Sequence, residues 1–162
     1  MFCGLLACNP SSPSDVGARD DGASTVDSPA SSSLDASFLN GTWVSGCDTI
    51  GATSAQYCTT FSGTDGFATR TMFYSASAAC SGASSVVSGA GTYRLAGAAT
   101  TPAGATKMDL VLAGFGMRFS VLARDGANLK FGKEDETHDG STEEQRYARF
   151  MVEPQTKRTC PF

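Results

Sequence analysis

The sequence predicts an all-β domain, an eight-stranded antiparallel up-and-down barrel, with a β-sandwich as the alternative. Three observations carry this. Short runs rich in Thr, Val, Phe and Tyr alternate between two faces from Ser37 onward. Gly-containing turns return about every ten residues. Helical periodicity is absent apart from a possible single turn around Asp35 to Leu39. Eight sequential strands with short connections favour closure, which leaves no unpaired edge.

The first run is Asn40 to Gly46, and the second is Tyr57 to Phe61, followed by the turn Ser62-Gly63-Thr64-Asp65-Gly66. In the third, Phe67 to Tyr74, the residues Phe67, Thr69, Thr71 and Phe73 share one side and Ala68, Arg70, Met72 and Tyr74 the other. Val86 to Leu95 is the fourth, where Gly89 and Gly91 are expected to mark a bulge or bend. The fifth places Met108, Leu110 and Leu112 on one face against Lys107, Asp109 and Val111. The sixth places Met117, Phe119 and Val121 on one face against Arg118, Ser120 and Leu122. Asp125-Gly126 is a hairpin signal, since both residues tolerate the positive φ of a tight turn. Leu129 to Gly132 and Arg146 to Val152 complete the eight.

Composition divides the chain near Ser37. Residues 9–36 are mostly Ser, Asp, Pro, Ala and Gly, and only Val16, Val26 and Leu34 are sizeable apolar side chains. Such a segment buries too little surface to offset the ordering of its backbone, and it is expected to be a disordered tether. As a flexible coil its reach is roughly 30 Å. It carries Asp15, Asp20, Asp21, Asp27 and Asp35 against Arg19, a net of −4, equal to the net charge of the whole 162-residue chain. The segment 37–162 keeps 11 of the 16 acidic and 11 of the 12 basic residues and is formally neutral, which argues against nucleic acid as a partner. Its length is that of one ordinary domain. No run approaches the roughly 20 apolar residues of a membrane-spanning helix.

At the amino terminus, Leu5-Leu6-Ala7-Cys8 resembles the end of a bacterial lipoprotein signal. The resemblance implies lipidation of Cys8, removal of the preceding peptide, and a cell-envelope protein attached to the membrane by its acyl chains, since an acidic tether is a poor anchor on anionic lipid. Asn9 at the next position points to the outer membrane. Residues 1–7 lack Lys and Arg and are fewer than a signal needs, so the reading expects the true start upstream of Met1.

The run Leu39-Asn40-Gly41-Thr42-Trp43-Val44-Ser45-Gly46-Cys47 opens the first strand with Gly-x-Trp, and the chain holds one Trp. With Tyr74 and Cys80, Leu129-Lys130-Phe131-Gly132 and a later Arg, this is similar to bacterial lipocalin-like lipoproteins. The Thr-Asp-Tyr motif of true lipocalins is missing, and Ala123-Arg124-Asp125-Gly126 stands in its place. The resemblance implies that Trp43 closes the barrel base under Arg146 or Arg149, a contact of about 0.5–2 kcal/mol. It also implies a small apolar ligand, for which Met72, Tyr74, Met108, Met117 and Phe119 are the candidate lining. The alternative is a solid core and a structural or surface-interaction role.

With Cys8 lipidated and Cys3 removed, Cys47, Cys58, Cys80 and Cys160 remain, an even number that reads as two disulfides with three possible pairings. The resemblance implies Cys47 with Cys80, leaving Cys58 with Cys160. Zinc is a poor alternative, because there is no Cys-x-x-Cys and a single His. Glu134 to Glu144 invites calcium. With Asp135 in the first position of an EF-hand loop, however, Thr137 falls in the third and Arg146 in the twelfth, where a Glu is required. A solvated acidic loop is the better reading. His138 is the sole histidine, no Gly-x-Ser-x-Gly is present, and neither catalysis nor a cofactor is expected.

Overall fold

The computed structural model describes residues 34–75, 77 and 79–162. The expected signal with Cys3, Cys8 and Asn9, and the expected tether as far as residue 33, lie outside the described residues. A four-residue helix, α1 (Ala36–Leu39), precedes ten strands: β1 (Gly41–Val44), β2 (Asp48–Ile50), β3 (Thr53–Ser62), β4 (Gly66–Tyr74), β5 (Ser84–Ala98), β6 (Thr106–Leu112), β7 (Gly116–Asp125), β8 (Asn128–Lys133), β9 (Arg149–Phe150) and β10 (Thr156–Lys157). They form one curled antiparallel sheet in the order β10-β1-β3-β4-β5-β6-β7-β8-β9, with β2 paired to the first half of β3. Gln155, next to β10, exchanges two backbone hydrogen bonds with Leu129 of β8, while β10 pairs with β1. The carboxy-terminal segment thus bridges the two sides of the curl.

The strands follow the predicted runs except at the ends. The expected eighth strand, Arg146 to Val152, shortens to Arg149–Phe150, because Arg146 is drawn into an ion cluster described below. The first strand stops at Val44 rather than Gly46. Two short strands, β2 and β10, were not expected. The Asp125-Gly126 signal marks a hairpin whose two-residue loop is Gly126-Ala127, with Gly126 at φ 60°. The positive φ falls on the glycine and not on Asp125, as a type II′ turn requires.

The irregularity of β5 lies between Leu95 and Ala98 and not at Gly89 or Gly91. Gly91 has a different use. A Cβ there would stand 1.8 Å from the carbonyl oxygen of Val111, so it is the close approach of β5 and β6 that requires glycine.

Leu34, Leu39, Trp43, Phe61, Phe67, Tyr93, Met108, Leu110, Leu122, Leu129 and Phe131 form the core. Leu34, read from composition as part of the tether, is folded into this cluster. Asp35 caps α1 by accepting from the Phe38 amide at 2.8 Å. The folded part therefore begins before Ser37. The helix stoppers one end of the curl, and the Trp43 indole N–H donates to the Leu39 carbonyl at 2.7 Å.

The cation over Trp43 is Lys157, with Nζ 5.3 Å from the ring centroid, and not Arg146 or Arg149. Register explains this: Lys157 is directly opposite Trp43 in the β1–β10 pair. Lys157 also donates to the Phe38 carbonyl at 3.2 Å. Gly41 makes room for it, since a Cβ at that position would lie 2.6 Å from Lys157 Cε. Gly-x-Trp in this chain is thus a lysine passage beside a tryptophan floor.

Disulfides join Cys47 to Cys80 and Cys58 to Cys160, the pairs that the resemblance implies. The first ties the β1–β2 connection to the segment after β4. The second straps the carboxy terminus onto β3. Cys58 and Val44 sit opposite one another on the face away from the core, and both are nonetheless buried. Arg158 donates to the Ser45 carbonyl, and Arg70 lies 5.6 Å from the Phe162 ring.

Candidate functional site

The five residues expected to line an interior cavity do not converge. Direct pairing in an antiparallel sheet puts two residues on one face. Met108 opposes Leu95 and Ser120 and is fully buried in the core. Met117 opposes Val111 and Phe119 opposes Asp109, so both lie on the outer face, and Met117 is 51% exposed. In β4, Phe67 is the core residue, and Met72 and Tyr74 alternate onto the other face. The inner residues of β7 are Ser120 and Leu122, the reverse of the expected Met117-Phe119-Val121 face.

The space that a ligand would need is filled by aromatic rings. Phe61 of β3 meets Phe67 at 5.4 Å and Tyr93 at 4.9 Å edge-on, and stacks with Phe131 of β8 at 6.1 Å between centroids. Strands from the two sides of the curl therefore touch through their side chains. The Tyr93 hydroxyl is buried among them without a hydrogen-bond partner among the described residues.

Concavity is found instead at the margin where β4 parts from β5, with the core-face residues Tyr93 and Leu95 in its lining beside outer-face ones. An open groove of about 690 Å³ runs from Ala36, Thr64 and Asp65 across Thr92, Arg94 and Leu95 to Asp109, Val111 and Met117. It forms where β4 leaves β5: their pairing ends at Gly66 opposite Thr92, and the Tyr93 amide bonds the Asp65 carbonyl as the last link. Its far end is apolar and its middle is charged. A second, smaller groove of about 270 Å³ is lined by Lys107, His138, Glu143, Glu144 and Arg146 together with Ala99, Thr100, Thr101 and Ala148.

An ion cluster separates the two grooves. Asp109 takes Arg94 on one carboxylate oxygen at 2.6 Å and Arg146 on the other at 2.5 Å. Arg146 also binds Glu143 and the backbone carbonyls of Met108 and Ser120, and its guanidinium lies 5.1 Å from the Phe119 ring centroid. Lys107 completes the chain by donating to Glu143 at 2.9 Å. Both Arg146 and Asp109 are buried, so each charge depends on the other. Burial alone pushes the Asp109 carboxyl up, but hydrogen bonds from Arg94 and Arg146 outweigh it and hold the carboxyl below its ordinary value. Glu143 is held at about 2, first by the hydrogen bond from Arg146 and then by that from Lys107.

The acidic stretch Glu134 to Glu144 is a folded patch on the sheet. Where β8 stops pairing with β7, the Phe119 amide bonds the Gly140 carbonyl and the Tyr147 amide bonds the Phe119 carbonyl, so the loop continues the sheet at that edge. Asp135 accepts from the Thr137 amide and hydroxyl and from the His138 amide and ring, and the Thr137 amide contributes most to lowering it to about 2. Arg149 reaches the other Asp135 oxygen at 3.4 Å. Asp139 receives the Ser141 amide. These carboxylates are engaged with their own loop, and among the described residues no three His, Cys, Asp or Glu side chains gather as a metal site requires.

The chain matches no family model, no curated protein and no solved structure. The residues themselves therefore carry the functional argument. Arg94, Asp109, Glu143, Lys107 and Lys157 went unnoticed in the sequence as a group. The available signal was Asp109 itself, a carboxylate between Met108 and Leu110 in an apolar strand, because a charge in that setting needs a buried partner. Chemically, the groove offers apolar side chains from both faces, Val111 and Met117 from the outer one and Leu95 from the core one, beside a fixed arginine–carboxylate pair. That combination suits contact with an amphipathic segment.

Proposed function

We propose that this protein is a lipid-anchored lipoprotein of the cell envelope, held at the outer membrane by acyl chains on Cys8, with its acidic tether between anchor and folded domain. Its lipocalin-like barrel is packed solid and works as a surface-interaction module. The groove at the margin of β5, lined by Leu95, Val111 and Met117 with Arg94 at its rim, is the contact surface for an amphipathic segment of an envelope partner. The observation that carries the solid-module reading is the Phe61–Phe131 stack, which closes the space between β3 and β8. Two disulfides and the Ser- and Asp-rich sequence after Cys8 support an exported, tethered domain.

The test of the anchor is mass spectrometry of the protein from fractionated cells. The reading expects an acylated Cys8 in the membrane fraction and release of Cys8→Ser into the soluble fraction. An unmodified Cys8, or a soluble wild type, would contradict it. A second reading, an interior ligand, is favoured by the unpartnered Tyr93 hydroxyl, which a buried polar head would satisfy. Saturable binding of a fluorescent fatty acid, weakened by Tyr93→Phe, would establish that reading instead.

A further inference from the structure

The longest strand, β5, is paired on both sides only at Gly91 and Thr92; from Arg94 onward β6 alone pairs with it, along a stretch that carries Arg94 and the bulge. Before Gly91 β4 lies on one side, with Tyr74 opposite Ser84 through Phe67 opposite Gly91. On the other side, β6 begins at Leu112 opposite Gly91, and the final link is the Ala113 amide to the Ala90 carbonyl. Among the described residues, Ser84 to Gly89 therefore present a free strand edge six residues long. Val86 and Val87, one on each face, are 45% and 51% exposed, and Phe73 beside them on β4 is 39% exposed.

Free edges are ordinarily blunted by lysine, proline, a bulge or extreme shortness. The other ends of this sheet follow that rule: β9 and β10 have two residues each, and β2 has three with Asp48 at its start. Ser84–Gly89 has none of these protections. No charged residue and no proline occurs between Ser75 and Tyr93, and the bulge of β5 comes later, between Leu95 and Ala98.

We infer that this edge is a dimerisation surface, on which a second copy of the chain adds its own Ser84–Gly89 antiparallel across a two-fold axis near Val87. The segment suits its own copy for three reasons. A two-fold axis normal to the sheet continues the ladder and keeps like faces together, so Val87 falls beside its counterpart on the face it shares with Phe73. An uncharged strand meets itself without the like-charge repulsion that a charged edge would bring. The β4–β5 hairpin projects past the β6–β7 hairpin, so the second copy approaches without meeting β6. The partner that gains most from an edge without charge or side-chain pockets is an identical uncharged edge.

The experiment is sedimentation equilibrium of the full chain carrying Cys8→Ser, which blocks acylation, from micromolar to millimolar concentration. The expected result is a monomer–dimer equilibrium with no larger species. Val87→Lys and Ser88→Lys should each weaken association at least tenfold, and Val152→Lys, at an exposed position off the edge, should leave it unchanged. Circular dichroism shows whether each variant is folded, and Ser88→Lys, a polar-to-polar change on the surface, decides if Val87→Lys is not. A monomer throughout the range overturns the inference, including the case in which residues 1–33 cover the edge. So does a dimer indifferent to both lysines, or an open-ended series of oligomers.

Discussion

Arg146 is the residue on which most of the outer face depends. It was expected under Trp43 and instead neutralises Asp109, which would otherwise be a buried carboxylate at the centre of β6. Removing Arg146 leaves the buried Asp109 with only the exposed Arg94, so Arg146→Ala should cost up to about 3–5 kcal/mol in urea unfolding. Arg149→Ala, whose side chain is exposed, should cost well under 1 kcal/mol. The same cluster sets the acid response. Asp109, Glu143 and Asp135 all have folded-state values below their ordinary 3.8 to 4.5, so the unfolded chain takes up protons first as pH falls. Their stabilisation is complete above about pH 5 and is lost as pH falls through the folded values towards about 2. Melting temperature should drop steeply across that window, and Arg146→Ala should flatten the drop. A melting temperature constant from pH 5 to 2 in the wild type would refute the role given to these pairs.

At the scale of elements, close approach and covalent ties decide what pairing alone does not. The Gly91 backbone lies against Val111, so Gly91→Ala forces β5 and β6 apart. It should lower stability by more than Gly89→Ala, whose Cβ would meet only the Thr69 methyl at an ordinary 3.6 Å. Comparison of the two urea midpoints checks this. Loop-closure entropy assigns about 3.7 kcal/mol to Cys47–Cys80 and about 4.7 kcal/mol to Cys58–Cys160. Serine pairs at 58 and 160 should therefore lower the unfolding free energy more than serine pairs at 47 and 80.

Strand existence was legible because alternation and glycine turns are local. Which face of β7 points inward was not. From Ser120 to Ala123 the residues of both faces are buried, and the inward face follows from the pairing of Met108 with Ser120. Single-residue register of this kind has no local signature. Lys157 escaped notice for a related reason, since it reaches Trp43 from a two-residue strand more than a hundred positions away.

For the whole molecule, the consequence of that register is a filled interior. Aromatic side chains from β3, β4, β5 and β8 meet in one cluster, and the methionines expected to line a cavity are divided between the core and the outer surface. The molecule that results is a disulfide-stapled domain, and its groove at the β5 margin and its uncharged strand edge are the surfaces proposed for interaction. Phe61 holds that arrangement together, and Phe61→Ala should cost about 3–5 kcal/mol while opening a cavity. The most direct measurement of the central claim is a fluorescent fatty-acid titration of the wild type beside Phe61→Ala. The solid-core account predicts no saturable binding to the wild type at micromolar dye, with any binding confined to the cavity variant. Saturable wild-type binding that Tyr93→Phe weakens would contradict it.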